Sequence, residues 1–222
     1  MPKLFSRRAV LAQIAGTAAL ATTPPHHAFA NLDSEPWSFL TDDEAQWLAA
    51  IADVFIPQDE FPSASQAGVV DYIDLQMATG YGTGEGLYLK GPFPEGTPQQ
   101  GYQLPLSPAE LLRAGINAAR SEIDLATTPL PERESWVQEF SERDESAIFF
   151  NEVLSLTNEG YFADPIYRGN HEYAGWRMVG FPGAHAYFTE RVGDNKPTTQ
   201  PPMGIAHGQM NHTLPRPIGQ EG

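Results

Sequence analysis

"LSPAELLRAGINAARSEI", Leu106 to Ile123, decides the fold class. Ser107 stands where a helix N-cap is needed, and Pro108 suits the first helical turn, where its missing N–H has no partner to lose. Glu110 completes a capping box with Ser107. Leu112, Ile116, Ala119 and Ile123 then recur on one face, so the spacing predicts a helix with one side in a core.

The same grammar repeats on both sides. In "FLTDDEAQWLAAIADVFIPQDEFP", Thr41 and Glu44 form a second capping box, Leu48, Ile51, Ala52 and Phe55 share a face, and Pro57 ends the run. "QAGVVDYIDLQMATG" places Val69, Ile73 and Met77 together, with Gly80 as the stop. From Glu132 charge alternates with Trp136, Val137 and Phe140. "ESAIFFNEVLSLTNEGYF" follows, with Phe149, Val153 and Leu156 on one side, to be read as one broken helix or two. No segment carries a sustained period of two with β-branched residues. The expected fold is therefore mainly α, a single helical domain over 31–222.

Two stretches do not fit a plain bundle. Tyr81 to Pro105 and Arg191 to Gly222 are rich in glycine and proline and lack periodicity, and structureless loops beyond about 12–15 residues are usually functional or disordered. Leu87, Tyr88, Leu89, Phe93, Tyr102 and Leu104 in the first, and Met203, Ile205, Met210, Leu214 and Ile218 in the second, are too many apolar anchors for a solvated linker. Either the arms wrap their own domain or they lie along a partner. For the extended tail over 191–222 the partner is the favoured reading.

Residues 1–30 have the parts of a cleavable leader: Lys3, Arg7 and Arg8, an apolar run from Ala9 to Ala21, and a small-residue exit at Ala28-Phe29-Ala30 with cleavage expected after Ala30. The run is far shorter than the roughly 20 residues that span a bilayer. Ser6-Arg7-Arg8-Ala9-Val10-Leu11 resembles the twin-arginine (Tat) signal, with Val10 where an aromatic residue often stands. Arginine's planar fork grips carboxylates bidentately, so a receptor reads the pair as shape as well as charge. The alternative is an ordinary basic leader for unfolded chains.

The chain holds 28 acidic and 13 basic residues, and loss of Lys3, Arg7 and Arg8 with the leader moves the formal charge from −15 to −18. Such a surface is a poor match for nucleic acid. With no cysteine there are no disulfides, thiolate metal sites or covalent haem attachment through a Cys-x-x-Cys-His box. "GYGTGEG", Gly80 to Gly86, lacks the preceding strand of a dinucleotide-binding turn. His171, His185, His207 and His212 show no His-x-x-x-His pair, and no Gly-x-Ser-x-Gly elbow occurs. No catalytic, cofactor-binding or metal-binding residue is assigned.

"GYFADPIYRGNHEYAGWRMVGFPGAHAYF", Gly160 to Phe188, is the densest signal. Gly160 is expected to close the preceding helix. Asp164-Pro165, Gly169-Asn170 and Phe181-Pro182-Gly183 are turn formers, the last with proline and glycine in the central places of a type II turn. Aromatic rings with polar handles suit an interface as well as a core. The candidate partner interface comprises Tyr161, Phe162, Asp164, Pro165, Tyr167, Asn170, Trp176, Phe181 and Pro182, with Tyr102 from the earlier loop.

This stretch, together with "LTDDEAQWLAAIADVFIP", "GVVDYIDLQMATGYG" and "GPFPEGTPQQGYQLPLSPAELLRAGI", resembles subunit 3 of membrane-bound gluconate 2-dehydrogenase and its relatives. The resemblance implies a non-catalytic small subunit in the periplasm, at the outer face of the inner membrane. Its implied partners are a large subunit holding FAD, which oxidises the sugar or sugar acid, and a multihaem cytochrome c subunit, whose haem c groups pass electrons to quinone. Membrane association would come through these partners. The resemblance further implies that the leaderless flavoprotein crosses through the Tat translocase while bound to this chain. A free-standing periplasmic binding or chaperone protein and a cofactor-free periplasmic enzyme are the alternatives.

Overall fold

Thr41 accepts the Glu44 N–H on its hydroxyl at 3.3 Å while Glu44 accepts the Thr41 N–H at 2.9 Å, and this box starts helix α1, Asp42–Phe55. The computed structural model describes residues 37–93, 97, 104–185, 193 and 200–205. Arg7, Arg8, Ala28, Ala30, Tyr102, His207 and His212 lie outside them. Asp42 and Asp43 add negative charge where the helix dipole is positive.

Where one buried face was expected, α1 is buried nearly all round: Ala45, Trp47, Leu48, Ala49, Ala50, Ile51 and Ala52 are all inaccessible. Its alanines let neighbouring helices approach closely, and a helix apolar around its circumference is a core helix. Around it pack α2 (Val69–Met77), α4 (Pro108–Glu122), α5 (Leu130–Ser141) and α6 (Ala147–Phe162). The one-turn α3, Gly80–Thr83, sits between α2 and α4 inside the stretch expected to be irregular, and α7, Ala174–Val179, packs on α6. Seven α-helices and no strand make up the domain among the described residues, a mainly α fold as expected.

The Ser107–Glu110 box forms at the start of α4, and Leu112, Ile116 and Ala119 are buried. Aromatic rings join three helices: Trp47 of α1 meets Trp136 of α5 edge-on at 6.4 Å and Phe149 of α6 at 6.2 Å, and Phe140 stacks on Trp136 at 4.4 Å. Such pairs add about 0.5–1.5 kcal/mol each beyond area burial. The segment before α1 is held by Asp74 of α2, whose buried carboxylate accepts the N–H groups of Ser38, Phe39 and Leu40 at 2.9, 2.9 and 3.0 Å. Arg113 of α4 lies over the Phe39 ring at 4.1 Å and bonds Glu44 at 3.0 Å.

Gly160 does not end its helix; α6 runs on to Phe162. An added Cβ at Gly160 would touch the Tyr72 side chain at 3.0 Å, so the glycine serves the close approach of α2 to α6. The region read as one broken helix or two is two, with a 3₁₀ turn at Asp144–Ser146 between α5 and α6.

Candidate partner interface

The segment after α6 folds into a 3₁₀ turn at Pro165–Tyr167, capped by Asp164, then a second at His171–Tyr173, then α7. Four residues that are not glycine hold positive φ here: Arg168 (71°), Asn170 (50°), Glu172 (52°) and Tyr173 (58°). Each such conformation costs energy and persists only where neighbours over-determine it. Asn170 is the central tie. It is fully buried, its Nδ2 donates to the Ala163 carbonyl at 2.8 Å, and its Oδ1 accepts the Gly175 N–H at 2.8 Å. The His171 N–H reaches back to Ala67 just before α2.

The residues assigned to an interface separate into two groups. Tyr161 is inaccessible and donates to the Pro62 carbonyl at 2.8 Å, while Trp176 is buried, donates to the Phe162 carbonyl at 2.7 Å and stacks on Tyr173 at 5.3 Å. With Asn170 they form the frame beneath the surface. Phe162, Tyr167 and Phe181 are exposed, and Asp164, Pro165 and Pro182 are partly so. Ile166 and Val179 (60% exposed), which were not picked out from the sequence, and Ile205 (65%), one of the tail's apolar anchors, extend the exposed apolar set.

Part of the tail completes this frame. Gly183 takes φ 85°, as a type II turn requires, yet the Ala184 N–H donates to Met203 O at 2.7 Å instead of closing on Phe181. Met203 N–H donates to Pro182 O, Gly204 N–H to the Tyr173 hydroxyl, and Ile205 N–H to Asp164 Oδ2. Across Met203 to Ile205 the tail therefore wraps its own domain, which corrects the preference for a partner there. The backbone groups of an irregular segment need partners, and this turn offers them.

A second exposed region adjoins the first along α6. Ile148, Glu152, Ser155, Glu159 and Phe162 follow one another at steps of four, three, four and three, which places them on one helical face over about 21 Å. The Tyr81 hydroxyl donates to Glu152 at 2.6 Å and the Tyr72 hydroxyl to Glu159 at 3.0 Å. Burial of the hydroxyl and then the bonded carboxylate push each phenol above its ordinary range, so both act as proton donors and not as bases. At one end of this face a cleft of ≈ 250 Å³ opens beside Tyr81, with Leu87, Pro108 and Leu111 as apolar walls and Glu152 as its carboxylate. Sequence periodicity pointed to this face only by contrast, because Phe149, Val153 and Leu156 were placed inside.

Chemically, the surface is apolar with carboxylates along one edge. Among the described residues no three His, Cys, Asp or Glu side chains gather to hold a metal ion, and no helix is long and apolar enough to cross a membrane. The cleft is smaller than the roughly 300–1,000 Å³ of pockets for drug-sized ligands, and the first part of Gly80–Gly86 is a single helical turn, Gly80–Thr83, capped by Gly84, with no strand feeding it among the described residues. Neither feature fits a flavin.

The fold is a helical domain among the described residues, with an exposed apolar face edged by carboxylates and a frame beneath it held by side-chain hydrogen bonds. The chain belongs to the gluconate 2-dehydrogenase subunit 3 family, whose model matches residues 42–183, from the first turn of α1 to the turn at Gly183. The family's description, subunit 3 of gluconate 2-dehydrogenase, implies a subunit of a multi-subunit dehydrogenase. Searches of curated proteins and of solved structures return no significant match.

Proposed function

We infer that the chain is the non-catalytic small subunit of a periplasmic flavoprotein–cytochrome c dehydrogenase, with gluconate as the substrate of the complex. Its task is to bind and stabilise the FAD-bearing subunit and to carry that folded subunit through the Tat translocase. The observation that carries this reading is the exposed apolar face within residues 42–183, the stretch the family shares. The Arg7–Arg8 pair supplies the export half of the argument. A translocase for folded proteins is useful when the passenger already holds its flavin, and FAD and haem c belong to the partners.

Gentle purification of the native protein from membranes tests it. A yellow flavoprotein and a red cytochrome are expected in equal proportion with this chain. Replacing Arg7 and Arg8 with lysine should strand both this chain and the flavoprotein in the cytoplasm. A lone colourless monomer, or unchanged flavoprotein export from the double variant, would refute the reading and favour a free-standing binding protein.

A further inference from the structure

The cleft beside Tyr81 has a composition that selects its occupant. Leu87, Pro108, Leu111 and the Tyr81 ring supply apolar wall, and Glu152 supplies the carboxylate. Glu152 Oε1 is held by the Tyr81 hydroxyl at 2.6 Å, which leaves Oε2 without a partner among the described residues. Glu159 lies two turns further along the same face, and the Glu85 carboxylate folds back over Gly80 in α3. Among the described residues lining the cleft no cation stands. A long aliphatic stem with a positive head satisfies both the walls and the carboxylate. A purely apolar side chain would bury Glu152 unpaired, at a cost.

On the reading of the chain as a dehydrogenase small subunit, we propose that this cleft seats an arginine side chain presented by the FAD-bearing subunit. Its guanidinium pairs with Glu152 Oε2, and its stem lies along Leu87 and Leu111. Arginine fits better than lysine because its planar group both stacks on a tyrosine ring and presents a fork of donors to a carboxylate. The formal charge of −18 expected for the mature chain favours a partner surface of opposite sign, and a charge pair set in an apolar pocket is the kind of contact that dominates an interface.

Gly86 provides a test that spares the backbone, because a Cβ added there meets nothing within 4 Å and the side chain it carries would stand at the cleft. In cells co-producing the flavoprotein, Gly86→Leu should lower the flavoprotein recovered per small subunit by about tenfold and Glu152→Gln by about fivefold. Both variants should melt at the temperature of the unaltered chain. A photo-crosslinking amino acid at position 87 should attach to an arginine-containing peptide of the flavoprotein. Normal recovery from both variants overturns the proposal, as does a crosslink from position 87 to this chain's own 94–103 segment or to a second copy. A crosslinker at position 167 separates the two levels of failure. If it captures the flavoprotein while position 87 does not, the cleft assignment falls and the subunit reading stands; if neither position captures it, both fall.

Discussion

The backbone N–H of Gly204 donates to the Tyr173 hydroxyl at 2.7 Å, so a tail residue closes onto a side chain 31 positions earlier. Tyr173 is itself held at φ 58°, with its ring stacked on Trp176. Asp164 does comparable work on the next residue, accepting the Ile205 N–H at 2.7 Å on one oxygen and the Ile166 N–H at 3.0 Å on the other. The exposed rings of Phe162, Tyr167 and Phe181 thus stand on a frame fixed from both sides. A rigid frame lowers the ordering cost of binding a partner.

Tyr173→Phe keeps the ring and removes the acceptor. The buried Gly204 N–H would then lack a partner, which costs about 1–3 kcal/mol. Urea denaturation should show a loss in that range, and hydrogen exchange should quicken at Gly204 and Ile205 before it quickens in α1. Unchanged exchange at those two amides would contradict the role given to the hydroxyl.

Asn170→Ala should be more damaging. It orphans the Ala163 carbonyl and the Gly175 N–H in a buried place and puts alanine at φ 50°, a conformation asparagine tolerates better. A loss of about 2–4 kcal/mol in unfolding free energy is expected. Asn170→Gly removes the same hydrogen bonds but takes φ 50° without strain, so it should lose less than the alanine variant. Equal losses in the two variants would show that the hydrogen bonds, and not the backbone conformation, set the cost.

Much of the helical frame was legible because its signals are local. The boxes at Thr41–Glu44 and Ser107–Glu110 each lie within four residues, and both form as read. What was not legible depends on contacts between distant residues. Gly160 reads as a stop until Tyr72 is seen packed against it. The outer face of α6 gains its meaning from Tyr81, which meets Glu152 across 71 positions. Likewise Tyr161, Asn170 and Trp176 share a dense aromatic and turn-forming stretch with Phe162 and Phe181, and composition alone does not say which of them point inward. In the tail, Met203 to Ile205 looked available to a partner because their own acceptors lie 21 to 41 residues upstream.

Asp53 gives the fold a pH dependence. Partial burial raises its carboxyl above the ordinary 3.8, against the opposing bonds from the Ser65 N–H and hydroxyl, both at 2.8 Å, and the charge of buried Arg133. Because the raised group binds its proton more tightly in the folded state than in the unfolded chain, its contribution to stability is fully present below pH 3.8. It is lost as pH climbs through the raised folded value. Asp53→Asn, with its oxygen still accepting from the Ser65 N–H, should flatten this part of the stability–pH profile. If the variant and the unaltered chain give parallel profiles from pH 3.5 upward (about the range set by the carboxyl's ordinary value), the carboxyl is not the source.

Two truncations separate the tail's inward contacts from its outward ones. Ending the chain after Ile205 keeps Met203, Gly204 and Ile205 on Pro182, Ala184, Tyr173 and Asp164; ending it at residue 190 removes all of them. The shorter product should lose stability by about 2–4 kcal/mol, the sum expected for several partly exposed hydrogen bonds and one buried N–H. The longer product should melt with the full chain. Flavoprotein recovery then reports on residues 206–222 alone: a fall without a change in melting temperature means that this end meets the partner, and full recovery assigns the tail's contribution to bracing the frame. Matched stability of the two truncated chains would show that the Met203–Ile205 contacts do not hold the surface in place.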